Sequence, residues 1–191
     1  MLHTELIAPV PELLERHAAA RPEKVAYWDS TRSVTYSQLA SRTAAIATRI
    51  TKMGVREGDK VALFLPNGVD WIEACFACLR AGVVVVPISH DAAEGEISYR
   101  LEDASCRLVF TSAARKNLVA KLSADNSESA TVVIAGDDAG AADGVTLERL
   151  AGDPSRDPPD PLDIDRASFI LYTSGTTGRA KGVLLSVRGM L

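Results

Sequence analysis

Short apolar runs alternate with amphipathic segments along most of the chain. The apolar runs are rich in β-branched residues and are bounded by polar turns, a pattern typical of strands. It predicts strands at Val25–Trp28, Ser33–Tyr36, Val61–Leu65, Val83–Val86, Arg107–Phe110 and Thr131–Ile134, the first two forming a small hairpin. Apolar residues that recur every three or four positions predict helices over Leu39–Met53, Asn67–Arg80, Glu94–Asp103 and Ala113–Leu122. We expect Gly54 to end the first helix in a left-handed conformation and Asn67 to cap the second.

The order of these elements predicts an α/β fold. Strands that alternate with helices imply right-handed crossovers, and therefore an open, mainly parallel sheet with flanking helices. The uninterrupted run Val83–Val86 is typical of a strand buried on both faces. A proline-rich loop, Ala151–Asp163, leads to a further apolar run, Ala167–Tyr172, which predicts another buried strand. The chain contains no internal repeat and no long linker, so we expect residues 1–191 to belong to one domain.

Composition and charge exclude several kinds of protein. The 191 residues are 47% hydrophobic and 24% charged, which is typical of a globular domain. The net charge of −4, without a Lys/Arg stripe, argues against nucleic acid or an anionic membrane as a partner. The apolar run Ala81–Ile88 is too short to form a transmembrane segment. The first residues lack a signal-peptide pattern, and three cysteines fit a reducing compartment, so we expect a cytoplasmic protein.

The strongest chemical signal directly follows the last predicted strand. Residues 171–183 read LYTSGTTGRAKGV, with hydroxyl side chains, glycines and one lysine close together. Glycines allow consecutive backbone N–H groups to converge on an anion, hydroxyls add donors, and lysine adds a mobile positive charge. The pattern therefore predicts a loop that binds nucleotide phosphates. The alternative, a surface turn rich in Gly and Thr, is disfavoured by this ordered combination after a buried strand.

The spacing excludes the two best-known nucleotide-binding loops. A Walker A loop needs four residues between its glycines and then Lys followed by Ser or Thr. Here Gly175 and Gly178 are separated by two residues, and Gly182 follows Lys181. No G-x-G-x-x-G opens a helix, so a dinucleotide fingerprint is also absent.

The segment Thr173–Lys181 resembles the phosphate loop of the AMP-forming adenylate ligases, the superfamily of acyl-CoA synthetases, luciferases and nonribosomal-peptide adenylation domains. Val34–Leu39, Leu65–Gly68 and Leu79–Ile88 resemble upstream segments of that family in the same order. The resemblance covers roughly residues 10–191.

Two residues depart from the family pattern. Ala180 stands where the family usually has proline, so this position lacks the restraint on φ that proline supplies. Val187 replaces a histidine that often follows the loop. The pair Thr176-Thr177, in place of Ser-Thr, favours acyl-CoA synthetases over peptide-synthetase domains.

The resemblance implies a two-step reaction. A carboxylic acid substrate attacks the α-phosphate of Mg-ATP, pyrophosphate leaves, and the acyl-adenylate passes to a thiol, commonly that of coenzyme A. In this scheme the residues that hold the β- and γ-phosphates are Thr173, Ser174, Gly175, Thr176, Thr177 and Gly178. Lys181 balances the phosphate charge. The loop supplies no nucleophile or base, so we assign no catalytic residue, and the resemblance implies Mg²⁺ and coenzyme A for the parent enzyme only.

Members of the resembling family are much longer than this chain. We therefore interpret residues 1–191 as the N-terminal part of an AMP-binding domain, without the rest of that domain or the C-terminal lid domain. We expect the piece to be inactive alone and to expose apolar sheet and helix faces. The alternatives are an adenylation domain that loads a carrier protein, a non-catalytic nucleotide-binding or homodimerising module, and an unrelated P-loop ATPase. The sequence does not specify the acid.

Other residues of tempting chemistry have simpler interpretations. Cys75 and Cys78 form a C-x-x-C inside a predicted helix, without a second pair at metal-ligand spacing, so we expect them in the core. His90 is expected to be a solvated loop histidine, and Trp28 and Trp71 core or rim residues. The pair at 137–138 is expected to lie in a turn, and we assign no metal ligand.

Overall fold

The computed structural model describes residues 8–124, 130–136, 144–152, 163, 165–173 and 180–190. The helices are α1 (Val10–Ala20), α2 (Tyr36–Lys52), α3 (Val69–Arg80), α4 (Glu94–Asp103), α5 (Lys116–Ala124) and α6 (Leu147–Ala151), with 3₁₀ turns at Ala113–Arg115 and Arg188–Met190. The strands are β1 (Val25–Trp28), β2 (Ser33–Thr35), β3 (Lys60–Phe64), β4 (Val84–Pro87), β5 (Cys106–Ser112), β6 (Thr131–Ala135), β7 (Val145–Thr146), β8 (Ala167–Thr173) and β9 (Lys181–Ser186).

Seven of these strands form one sheet in the order β7-β6-β5-β3-β4-β8-β9. Every neighbouring pair is parallel except β8 and β9, which are antiparallel. Strands β1 and β2 form a separate antiparallel hairpin. Both the open, mainly parallel sheet and the small hairpin are therefore confirmed.

The large sheet is covered on both faces, because successive side chains of a strand point to opposite sides. Val61 and Leu63 of β3 lie in a core cluster with residues of α2, α3 and α6. Ala62 and Phe64 of the same strand lie in a second cluster with residues of α4 and α5. The neighbouring strands β3 and β5 lead to helices on opposite faces, α3 and α5, and then to strands on opposite sides, β4 and β6. In open α/β sheets a crevice lies at the carboxyl ends of such a pair of strands.

A buried carboxylate joins the small hairpin to the helices of one face. Glu73 of α3 is 0% exposed, and both of its oxygens accept hydrogen bonds from two arginines. Arg32, in the turn between β1 and β2, donates at 3.0 Å to each oxygen, and Arg42 of α2 donates at 2.7 and 2.9 Å. Arg42 also pairs with Glu148 of α6, at 2.6 Å. The buried charge is therefore fully paired, as burial of an ion requires.

Helix α3 begins differently from the sequence expectation. Its N-cap is Gly68, and the carboxylate of Asp29 accepts the N–H of Val69 at 2.7 Å, so the prediction that Asn67 caps this helix was wrong. A Cβ added to Gly68 would lie 2.9 Å from Asp29 Oδ2, so the residue that precedes the helix must be small. The Val69 hydrogen bond, followed by bonds from Thr31 and Arg32, holds the pKa of Asp29 well below its usual range. A carboxylate from another segment thus provides the negative charge that the helix N-terminus favours.

Several boundaries also differ from the predicted elements. Tyr36 is the first residue of α2 and not the end of β2, because Thr35 and Gln38 form a capping box. Gly54 has φ of +88° after α2, so its left-handed conformation is confirmed. Residues Ala113–Arg115, predicted as α-helix, form a 3₁₀ turn. The sequence analysis missed α1, α6, β7 and β9, and most of the proline-rich loop lies outside the described residues.

Candidate functional site

The predicted phosphate loop begins and ends on two paired strands. Thr173, the last residue of β8, lies opposite Lys181, the first residue of β9. Residues opposite each other in an antiparallel pair have Cα atoms about 4.5–5.5 Å apart. Both side chains are exposed. The structure therefore brings together two of the predicted site residues; the other five, Ser174, Gly175, Thr176, Thr177 and Gly178, lie outside the described residues.

The hairpin of β8 and β9 ends at the same edge of the sheet as the crevice. Strand β8 runs parallel to β4, with Phe169 opposite Val85. The carboxyl end of β8, which carries Thr173, therefore lies on the side where β3 and β4 also end. Open α/β sheets bind their ligands outside the carboxyl ends of the strands.

Lys181 is exposed at this edge of the sheet. Within the part of the chain that the structure describes, no carboxylate pairs with its ammonium group. An exposed ammonium on a four-carbon stem is a mobile point charge suited to a polyphosphate. The geometry is therefore compatible with the charge-balancing role that the resemblance implies.

Gly182 allows the two strands to approach closely beside this charge. A Cβ added there would lie 2.9 Å from Ile170 Cγ2 and 3.3 Å from Tyr172 Cζ. The first of these distances is shorter than a normal non-bonded contact, so a larger residue would displace the strand or the ring. From the sequence, Gly182 was only an argument against a Walker A loop. The packing shows that it also allows β8 and β9 to lie close together.

Tyr172 of β8 is held by helix α4. Its Oη donates to Asp103 Oδ2 at 2.7 Å, and the Arg100 guanidinium carbon lies 5.2 Å from its ring centroid. Burial and the hydrogen bond to the Asp103 carboxylate raise the pKa of Tyr172. The phenol therefore remains neutral and a donor at neutral pH, which keeps the strand attached to the helix.

The same helix also holds the first residue before β9. Tyr99 Oη donates to the carbonyl oxygen of Ala180 at 2.9 Å. The Tyr99 and Tyr172 rings meet edge to face, with centroids 6.1 Å apart. Sequence reasoning missed these helix residues. The available signal was the spacing of Tyr99 and Asp103, which places both on one face of a helix.

Outside the hairpin, the sequence expectations had mixed outcomes. Cys75 and Cys78 are buried in the core as predicted, and burial raises the pKa of the Cys75 thiol to about 12. His90 lies in a turn, as predicted, but it is half-buried and its ring stacks on Phe64 with centroids 5.8 Å apart, so it is less solvated than expected. Trp28 is 71% exposed, which contradicts the expected core or rim position, whereas Trp71 packs against the core.

Among the described residues, no group of three or more His, Cys, Asp or Glu side chains is arranged to hold a metal ion. The acidic pair at 137–138 lies outside those residues. No helix among these residues combines the length with the apolar composition that a membrane-spanning segment needs. Leu171, Val183 and Leu184 of the hairpin are exposed, Leu184 by 62%, in agreement with the expectation of exposed apolar sheet faces.

Known proteins resemble this chain in both sequence and fold. It is 31% identical over 172 residues to the feruloyl-CoA synthase of Amycolatopsis sp, a match that covers 90% of the chain and 32% of that enzyme. It is also 31% identical over 194 residues to CymA of Salinispora arenicola, described as a probable nonribosomal peptide synthetase, covering 97% of the chain and 2% of CymA. The crystal structure of the anthranilate CoA ligase AuaEII with anthranoyl-AMP superposes with a TM-score of 0.87 at 20% identity, covering 98% of the chain and 37% of that protein.

The chain is much shorter than the relatives that it matches. The chain spans about a third of the feruloyl-CoA synthase and a small part of CymA. A family model described as AMP-binding enzyme matches residues 14–191, nearly the whole chain. The chain therefore belongs to the AMP-binding enzyme family, as its phosphate-loop resemblance predicted.

Proposed function

We propose that this chain takes part in the adenylation of a carboxylic acid by ATP, with the β8–β9 hairpin holding the β- and γ-phosphates. The observation that carries the proposal is the position of Thr173 opposite Lys181, at the carboxyl edge of the sheet. In this arrangement Thr173 and the loop residues Ser174–Gly178 donate hydrogen bonds to phosphate oxygens, and Lys181 neutralises the pyrophosphate as it leaves.

The proposed role is positioning and charge neutralisation. Displacement at the α-phosphorus transfers negative charge to the leaving oxygens, so a cation close to them lowers the barrier. Membership of the AMP-binding enzyme family supports nucleotide use. The anthranoyl-AMP bound to AuaEII is an acyl-adenylate, which is the product of such a step in that protein. We propose Mg²⁺ as the ion that accompanies ATP in the longer enzyme, and we name no ligand for it among the described residues.

We favour coenzyme A as the acceptor of the acyl group. The pair Thr176-Thr177 supports this choice, and the similarity to a feruloyl-CoA synthase agrees with it. Similarity to a probable nonribosomal peptide synthetase supports the second candidate, loading of a carrier protein. We further propose that residues 1–191 correspond to the N-terminal part of the adenylating domain, and that the protein is cytoplasmic, which its free cysteines support.

Calorimetric titration of the 191-residue chain with ATP and with pyrophosphate tests the phosphate role. We expect Lys181→Ala to weaken both affinities about ten- to a hundredfold, because a hydrogen bond to a charged group contributes about 1.5–3 kcal/mol. Lys121→Ala removes an exposed lysine of α5 and is the matched control, expected to leave both affinities unchanged. Equal binding by the Lys181→Ala variant and the wild type would refute the assignment.

A pyrophosphate exchange assay separates the functional alternatives. We expect no carboxylate-dependent exchange of pyrophosphate into ATP by residues 1–191 alone, since the chain spans about a third of a CoA synthase relative. Exchange by this chain would show that it suffices for adenylation. Saturable ATP binding together with no exchange in longer forms of the protein would favour a non-catalytic nucleotide-binding module. Steady hydrolysis of ATP to ADP would favour a different ATPase.

A further inference from the structure

We propose that Tyr99 is a positioning residue for Lys181. Its phenol fixes the peptide group that precedes Lys181 and thereby directs the lysine ammonium towards the phosphates. This inference rests on the proposed phosphate role of Lys181 and adds a residue that lies 81 positions earlier in the chain.

The hydrogen bond acts directly on the backbone of Lys181. Tyr99 Oη donates to the Ala180 carbonyl oxygen at 2.9 Å. That carbonyl and the Lys181 N–H belong to one planar peptide unit, so fixing the oxygen fixes the orientation of the whole unit. The restraint therefore applies one bond before the Cα atom from which the Lys181 side chain extends.

The phenol is itself held in place by its surroundings. Arg100, the next residue of α4, donates to the Pro87 carbonyl oxygen at 3.3 Å and forms an ion pair with Glu96. Tyr172 packs edge to face on the Tyr99 ring and bonds to Asp103 at 2.7 Å. Helix α4 is thus attached both to the end of β4 and to β8. Because the helix already holds the Tyr99 phenol in place, the phenol loses little conformational freedom when it orients the Ala180 peptide group.

The second acceptor near Tyr99 does not compete strongly. Asp103 Oδ1 lies 3.4 Å from Tyr99 Oη, compared with 2.9 Å for the Ala180 oxygen. Asp103 already accepts the shorter bond from Tyr172. Of these two acceptors, the Ala180 oxygen therefore has the better geometry for the Tyr99 hydroxyl.

The backbone at Ala180 is restrained by a residue of another element, Tyr99 of α4. An alanine does not restrict φ as a proline would, so the segment that enters β9 has no restraint of its own at this position. The bond from Tyr99 supplies one from a separate element. Since the Ala180 side chain is half-buried and makes no polar contact, the carbonyl is the group through which the helix acts.

A double-mutant cycle tests whether Tyr99 acts through Lys181. Calorimetric ATP titrations are made with the 191-residue chain as wild type, Tyr99→Phe, Lys181→Ala and the double variant. Tyr99→Phe retains the ring and removes only the donor, and loss of a neutral hydrogen bond corresponds to about three- to tenfold weaker ATP binding. In the Lys181→Ala background we expect the same change to alter affinity by less than about twofold, because coupled residues are not additive.

The controls distinguish this role from a general effect on folding. Tyr36→Phe removes the hydroxyl of another half-buried tyrosine, in α2, and should leave ATP affinity unchanged. The Ala180 carbonyl carbon resonance should shift in Tyr99→Phe and not in Tyr36→Phe, a readout that is independent of nucleotide. An equal loss of affinity in both backgrounds, or no loss in either, would overturn the positioning role. Absence of ATP binding by the wild type would instead overturn the proposed function on which it rests.

Discussion

Replacing Glu73 by glutamine tests the buried charge that joins the small hairpin to helices α2 and α3. The change keeps the shape of the side chain and removes its negative charge. Arg32 and Arg42 donate four hydrogen bonds to this carboxylate at 2.7–3.0 Å, and Glu73 is 0% exposed. After the change, two half-buried guanidinium groups face a neutral amide whose N–H₂ cannot accept.

The expected magnitude follows from this geometry. After the change each arginine keeps one other carboxylate, because Arg32 pairs with Asp70 at 2.6 Å and Arg42 with Glu148 at 2.6 Å. The cost is therefore below the roughly 3–5 kcal/mol of a buried charge left without any partner, and we expect about 1.5–3 kcal/mol from the lost charged hydrogen bonds. For a chain of this size, 1 kcal/mol corresponds to about 2–4 °C in Tm, so we expect a decrease of roughly 5–10 °C. Urea unfolding followed by circular dichroism gives the free energy, and calorimetry gives Tm.

Glu148 provides a matched control in the same network. It pairs with Arg42 at 2.6 Å, but its side chain is 59% exposed. Glu148→Gln should therefore cost at most about 1 kcal/mol, the range of exposed ion pairs. If Glu73→Gln lost no more stability than Glu148→Gln, burial would not be the factor that makes Glu73 important, and the reasoning would be wrong.

Two further predictions concern the hairpin and the start of α3. Gly182→Ala should lower the free energy of unfolding by about 1–3 kcal/mol, since its Cβ would lie 2.9 Å from Ile170 Cγ2. Gly95→Ala is the control and should not destabilise the protein, because the space around its Cβ is open. Equal urea midpoints for the two variants would contradict this prediction. Asp29→Ala should cost about 1 kcal/mol at pH 7 by removing the acceptor for Val69. The folded state lowers the pKa of Asp29, so the contribution of its carboxylate to stability is fully present above the unfolded pKa of about 3.9 and is lost as pH falls below that value. In urea titrations, the difference in unfolding free energy between Asp29→Ala and wild type should therefore be smaller at pH 3 than at pH 7.

Elements with strong local patterns were predictable. Helix α4 has the predicted bounds, Glu94–Asp103, and β3 and β6 lie close to their predicted positions. In these segments the periodicity of apolar residues already specifies which face is buried. Strand β9 was missed, because its apolar residues Val183, Leu184 and Leu185 directly follow the glycine-rich loop and do not alternate with polar residues. It forms a strand through its pairing with β8.

The cap of α3 and the contact that holds the Ala180 peptide both involve residues that lie far apart in the sequence. Asn67 has the side chain expected of a cap, but Asp29, almost forty residues earlier, accepts the first helical N–H. Tyr99 has no chemical motif around it in the sequence. Its contact with Ala180 exists only because α4 packs beside the β8–β9 hairpin.

The fold class, the family and the chemistry expected of the segment Thr173–Lys181 depend on residue types at short, fixed spacings, so they could be read from the amino-acid sequence. The position of Thr173 opposite Lys181 at the carboxyl edge of the sheet, and the bond from Tyr99 to the peptide before the lysine, could be read only from the folded chain. Hydrogen bonds and close packing act over a few ångströms in space, whatever the separation of the residues along the chain.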